Sequence, residues 1–187
     1  PQNPQNVTVD VNGTTLEFDW DNGTGCDTTL IVQNTSSYPV NETDTTVVYN
    51  GTTSNFTKPT FNSSDRFTLF TYNSTSGYYS SGVHGEWGLL VIYVYKEDEP
   101  HISIGNYTVF VTNENASETY EATDQNNPTE INVDDIPNGD DITIQIRKEG
   151  YKSRSQIYDL EVNEQYNISF YLPASSEGSP SGEEGED

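Results

Sequence analysis

Apolar and polar residues alternate with period two along most of this chain, and no stretch shows the spacing of an amphipathic helix. The alternation predicts seven short strands in the first part, at 7–11, 15–20, 28–34, 45–49, 55–60, 67–72 and 78–81. Turn signals separate them: Asn12-Gly13, Asp21-Asn22-Gly23, Asn50-Gly51 and Ser76-Gly77. Leu16, Phe18 and Trp20 fall on one face of the second strand, Leu30 and Val32 share a face of the third, and Phe67, Leu69 and Thr71 share a face of the sixth. Seven short strands at this spacing imply an immunoglobulin-like β-sandwich over 1–82. Residues 83–86 read as a linker. A second set of strands follows at 87–95, 106–112, 118–122, 129–133, 141–148, 156–162 and 166–172. The fold class is therefore all-β, two tandem small sandwiches at 1–82 and 87–173. The Ser/Gly/Glu-rich stretch 174–187 is read as a flexible acidic tail. The longest apolar run, 89–95, is too short to span a bilayer, so no direct membrane insertion is expected.

Specific motifs sharpen this reading. Pro4-Gln5-Asn6-Val7-Thr8-Val9, followed by Leu16-Glu17-Phe18-Asp19-Trp20, resembles the opening of a fibronectin type III domain. That family buries a tryptophan on its second strand, and Trp20 falls there. Asp27-Thr28-Thr29-Leu30-Ile31-Val32, Ser37-Tyr38-Pro39 and Val47-Val48-Tyr49-Asn50-Gly51-Thr52 are similar to a subset of these domains found in microbial surface proteins and virus-encoded structural proteins. Tyr72-Asn73-Ser74-Thr75-Ser76-Gly77-Tyr78-Tyr79-Ser80 looks like the closing hairpin. One departure stands out: the family's tyrosine-corner position falls near Asp65 or Phe67, and neither is tyrosine. The second part resembles the carboxypeptidase regulatory-like modules, which are transthyretin-like β-sandwiches. Trp87-Gly88-Leu89-Leu90-Val91-Ile92-Tyr93-Val94, Ile136-Pro137-Asn138-Gly139-Asp140, Glu149-Gly150-Tyr151 and Tyr166-Asn167-Ile168-Ser169-Phe170-Tyr171-Leu172-Pro173 carry that resemblance. It implies a module without catalysis.

Twelve Asn-X-Ser/Thr sequons begin at Asn6, Asn12, Asn22, Asn34, Asn41, Asn50, Asn55, Asn62, Asn73, Asn106, Asn115 and Asn167. A thirteenth, at Asn127, is blocked by Pro128. Random placement of the 19 Asn and 41 Ser plus Thr would give about four. Sequons are used where the chain meets an oligosaccharyltransferase, outside the cytosol. The excess therefore points to an extracellular glycoprotein, at a cell surface or a virion surface. Turn-borne Asn12, Asn22 and Asn50 are expected to be occupied first.

Charge narrows the partners. Thirty acidic against seven basic residues give −23. Such a field repels nucleic acid and anionic membranes and favours solubility and cation association. Cys26 is the single cysteine, so no disulfide forms within the chain. This fits a microbial or viral surface better than a small animal secreted domain. The chain starts at Pro1 and has no methionine, which reads as a mature product or an excised segment.

Candidate chemistry is sparse. His84 and His101 lack zinc-ligand spacing to each other or to Cys26. No nucleophile-elbow, P-loop or dinucleotide fingerprint occurs. No enzyme activity is expected, and no cofactor other than calcium. Calcium's candidate ligands are Asp134, Asp135, Asp140 and Asp141, four carboxylates in one turn-rich stretch. A solvated acidic turn is the competing reading. Arg147, Lys148, Lys152 and Arg154 gather around Gly150-Tyr151, as a docking point for an acidic neighbour or as cross-strand charge pairs. Tyr38, Tyr78 and Tyr79 are either an exposed aromatic platform or core and edge filler. The expected function is a non-catalytic spacer, coat or fibre segment that contacts neighbouring surface-protein or virion subunits and glycans. The alternative is a carbohydrate- or receptor-binding module.

Overall fold

The chain folds as an all-β protein. The structure, a computed structural model, describes residues 1–175, and no α-helix forms among them. It divides into two compact units. One comprises Pro1–Leu89 with Asn132–Asp135 and Glu161–Gln165; the other comprises Leu90–Ile131, Ile136–Leu160 and the residues from Tyr166.

The first unit contains β1 (Gln5–Asn12), β2 (Thr15–Asp21), β3 (Thr28–Asn34), β4 (Thr46–Gly51), β5 (Asn55–Lys58), β6 (Arg66–Asn73), β7 (Tyr78–Tyr79) and β8 (Val83–Gly85). One sheet has the order β1-β2-β5; the other runs β4-β3-β6, with β7 and β8 both paired to β6. All the pairings are antiparallel. The sheets close face to face as a β-sandwich. Phe18 on β2 meets Phe67 on β6 edge-on at 5.1 Å. Val9, Leu16, Phe18 and Trp20 from one sheet and Ile31, Phe67 and Leu69 from the other are buried. Each such side chain contributes about 1.5–3 kcal/mol through removal from water. Trp20 is 4% exposed, as the sequence implied. A buried indole N–H needs an acceptor, and here it donates to Asn22 Oδ1 at 3.0 Å and Thr29 Oγ1 at 3.1 Å.

The alternation leads one to expect a single buried face per strand, yet β3 and β6 bury both. Their register sets Ile31 against Leu69 and Leu30 against Phe70. Leu30, Val32 and Phe70 therefore face away from Phe67 and Leu69, and pack as a separate cluster with Tyr79. Thr68 on that face donates to the Pro39 carbonyl at 2.8 Å, which holds the β3–β4 loop over the cluster.

Residues 83–86 are not a free linker. Val83–Gly85 is a strand, with Phe67 opposite Gly85 and Leu69 opposite Val83. β7 pairs with the other end of β6, at Tyr72 and Asn73. The closing strand is thus broken in two at Gly82, whose φ is +86° and where a Cβ would lie 2.6 Å from the Phe70 ring. Only glycine meets both demands without strain. Trp87, expected to open the second sandwich, is buried in the first unit. Its ring meets Phe61 at 4.9 Å and its N–H donates to the Asp65 carbonyl at 3.3 Å. Asp65 itself occupies the corner where the family resemblance leads one to expect tyrosine. Its carboxylate accepts from the Asn62 N–H at 2.9 Å, and its own N–H donates to the Asn62 carbonyl at 2.9 Å. The corner is closed by a short carboxylate bridge within one turn.

The second unit is built on β9 (Leu89–Lys96), β10 (Tyr107–Asn113), β11 (Glu118–Gln125), β12 (Thr129–Asn132), β13 (Gly139–Arg147), β14 (Arg154–Leu160) and β15 (Gln165–Leu172). Its sheets have the orders β11-β10-β13-β14 and β12-β9-β15. Backbone bonds from Leu89 N–H to the Glu164 carbonyl and from Glu97 N–H to the Leu172 carbonyl, 3.0 and 3.1 Å, tie β9 to β15 in the same direction. Leu90, Ile92, Val94, Ile168, Phe170 and Leu172 from one sheet and Val109, Val111, Ile142, Ile144 and Ile146 from the other are buried. Period two places these residues on the inward faces. Of the stretch read as a tail, Ala174 forms a bridge with Tyr151 and Ser175 N–H donates to the Gly150 carbonyl at 3.0 Å. The rest of that reading, from 176 onward, lies outside the described residues.

Candidate functional site

The sequon asparagines are the first group to place. Nine of them, Asn6, Asn12, Asn22, Asn50, Asn55, Asn62, Asn106, Asn115 and Asn167, are exposed; Asn34, Asn41 and Asn73 are half-buried, and none is buried. A glycan needs Nδ2 at the surface. Asn22 presents it well: the residue is exposed, its Oδ1 is anchored by Trp20 and Thr29, and among the described residues no group bonds its Nδ2. Asn12 donates Nδ2 to Glu17 at 2.9 Å, Asn6 to Asp21 at 2.7 Å, Asn41 to Asp44 at 3.2 Å and Asn73 to the Gly25 carbonyl at 2.5 Å. Asn50, read as a turn residue, sits inside β4 opposite Leu30.

The four aspartates expected to hold calcium do not gather. Asp134 and Asp135 lie in a 3-10 turn at Val133–Asp135, but β13 already begins at Gly139 and carries Asp140 and Asp141. Asp141 sits at positive φ, +57°, at a register shift in β13, with its N–H donating to Asp159 Oδ1 at 3.0 Å. The carboxylates that do come together are Asp10, Asp134 and Asp135, their oxygens within 4.8 Å of one another. Asp10 is on β1, more than a hundred residues away in sequence, and no spacing rule could have found it. A bond from the Val11 backbone N–H to the Asn132 side-chain Oδ1, 2.7 Å, fixes this corner. Desolvation by the surrounding protein, with Asp10 and Asp135 adding repulsion, pushes the Asp134 carboxyl up to about 6. Asp10 is also raised, first by burial and then by Asp135, Asp19 and Glu17. These three carboxylates are the residues that could hold a cation.

The basic residues around Gly150-Tyr151 are largely spent. Arg154 pairs with Glu97 at 2.9 Å. Arg147 lies 4.5 Å from the centre of the Phe110 ring and bonds Gln145 at 2.7 Å. Lys148 Nζ donates to the Asn106 carbonyl at 2.9 Å. Beside them is an open cleft of about 570 Å³, lined by Asn106, Thr108, Arg147, Lys148 and Tyr151 but also by Asp124 and Glu149, so its charges nearly cancel.

Of the two readings of Tyr38, Tyr78 and Tyr79, the exposed platform does not assemble. Tyr38 stacks on His84 at 3.7 Å, Tyr79 packs against Tyr72 and the Leu30 cluster, and Tyr78 alone is exposed, at 71%. A different row does form: Tyr93, Tyr95 and Tyr171 line up on β9 and β15, with ring centres 6.5 and 5.7 Å apart. Cys26 is a free, half-buried thiol.

No protein-family model matches the chain, and no curated protein matches it. Among sixteen solved chains that match is the Bacillus anthracis TIE protein, at 15% identity and a TM-score of 0.35. The match covers 91% of this chain and 39% of that one.

Proposed function

We propose that this chain is a non-catalytic segment of an extracellular or virion-surface glycoprotein: a spacer, coat or fibre element whose sandwiches carry glycans and contact neighbouring subunits. One observation carries the reading. Twelve sequons, about three times the number expected by chance, lie on β-sandwich units in a way that buries none of their asparagines. The same proposal takes the first unit as fibronectin III-like. Its strand order, β1-β2-β5 facing β4-β3-β6 with β7 and β8, and the buried Trp20 on β2 support that assignment. The transthyretin-like assignment of the second unit rests on its sequence resemblance. A charge of −23 favours partners with neutral or basic surfaces and solubility at high display density.

Secretion of the chain from a glycosylating eukaryotic host, followed by site-resolved glycopeptide mass spectrometry, tests the reading. Glycans at several sequons between Asn6 and Asn73 are expected. An intact mass of 20.8 kDa, the bare polypeptide, would overturn it.

A further inference from the structure

The row of tyrosines and a sequon share one sheet face. Along β15, Ile168, Phe170 and Leu172 point into the core, so Asn167, Ser169 and Tyr171 point out, and all three are exposed. Along β9, Leu90, Ile92 and Val94 point in, so Val91, Tyr93 and Tyr95 share the outward face. The parallel tie between these strands sets Tyr95 beside Tyr171, Tyr93 beside Ser169 and Val91 beside Asn167. Asn167 opens the sequon Asn167-Ile168-Ser169.

We propose that this face is a shelf for the N-linked glycan carried on Asn167, whose sugar rings lie along Tyr93, Tyr95 and Tyr171. The proposal rests on the glycoprotein reading and deepens it. Three observations favour this occupant. Its attachment point is on the face itself, and Tyr171 is four residues further along the strand, about 13 Å, the span of a short run of linked sugars. Positions 93, 95, 167, 169 and 171 carry no charge in a chain of −23, and Glu97, two residues beyond Tyr95, is paired with Arg154. Among the described residues no group bonds the hydroxyls of Tyr93, Tyr95 and Tyr171, whereas those of Tyr38, Tyr49, Tyr107 and Tyr158 all bond within the chain. A sugar ring has an apolar C–H face and a hydroxyl rim. Tyrosine offers an apolar ring with a polar tip, and Ser169 adds a further hydroxyl. The row therefore matches a neutral glycan in both respects, and an acidic partner would meet the chain's own field.

The test uses the secreted glycoprotein, with the exposed Asn115 in the β10–β11 loop as an internal control. Glycan trimming by an endoglycosidase under native conditions is followed at both sites by glycopeptide mass spectrometry. The Asn167 glycan should be released about fivefold more slowly, as one aromatic contact of ordinary strength provides. Tyr93→Ser and Tyr171→Ser should bring its release to the Asn115 rate, and Tyr171→Phe should keep most of the protection. Equal rates at the two sites in the unaltered protein would overturn the shelf. So would protection that survives both serine variants, or an empty Asn167 beside an occupied Asn115. Each of these leaves the glycoprotein reading intact, whereas bare asparagine at all twelve sequons overturns that reading itself.

Discussion

Replacing Asp134 by asparagine should stabilise the protein at neutral pH, and the gain should disappear in acid. Desolvation, with Asp10 and Asp135 adding, raises this carboxyl from 3.8 to about 6. A carboxyl with a raised folded-state pKa holds its proton more tightly folded than unfolded. Its favourable contribution is therefore complete below 3.8 and is lost as pH rises through about 6. The rise from 3.8 to about 6 would convert to about 3 kcal/mol. Asp134 is exposed as a residue, though, and water screens much of the repulsion, so about 1 kcal/mol is the expected effect. Asparagine keeps the shape and removes the charge. In thermal melts from pH 4 to pH 8, the variant's midpoint should exceed that of the unaltered protein by about 2–4 °C above pH 7. The gap should close near pH 4. A variant no more stable at pH 7.5, or a gap constant with pH, would show that the Asp10–Asp134–Asp135 corner is not under electrostatic load.

Four further outcomes follow. Millimolar calcium should raise the midpoint above a sodium control of equal ionic strength, and less so in the Asp134→Asn variant; equal midpoints would remove the cation from this corner. Sodium chloride should itself stabilise the protein, since the Debye length falls from about 30 Å at 0.01 M to about 3 Å at 1 M and −23 then repels itself less; a falling midpoint would point to specific ion pairs instead. Trp20→Ala should cost about 3–5 kcal/mol by denaturant titration, through a cavity and two lost indole bonds; an unchanged midpoint would place Trp20 outside the core. Gly82→Ala should cost about 1–3 kcal/mol by the same assay, because its positive φ and the Phe70 ring both oppose a Cβ; a neutral result would mean that the break between β7 and β8 relaxes freely.

The strands were legible because burial has period two and because Gly and Asn mark the turns between them. What the sequence concealed was mostly long-range. Asp10 joins Asp134 and Asp135 only through the packing of a turn against β1. Residues 83–86 read as a linker because Val-His-Gly, the strand at 83–85, has no alternation long enough to register as one. Leu30 and Val32 were visible as a face, but only the pairing with β6 reveals that it is the outer one. Asp134-Asp135 and Asp140-Asp141 looked alike in sequence; the onset of β13 at Gly139 separates them. Among the tyrosines, the choice between core and surface turned on strand parity. That parity places Tyr93 and Tyr171 outward, whereas Tyr38, in the β3–β4 loop, stacks on His84.

The break at Gly82 also bears on how copies of the chain can associate. An edge strand left long and flat invites a neighbour to add its own backbone, and sheets grow without control. Here the edge beside β6 is cut into pieces of two and three residues, turned apart by a left-handed glycine. Neither piece is long enough to template another strand. The far edge of the second unit's larger sheet, β11, is longer but carries Glu118, Glu121 and Asp124. Two copies brought edge to edge there would set like charges against each other. At these two edges contact between copies falls to side chains, which can be specified position by position, rather than to the backbone, which cannot.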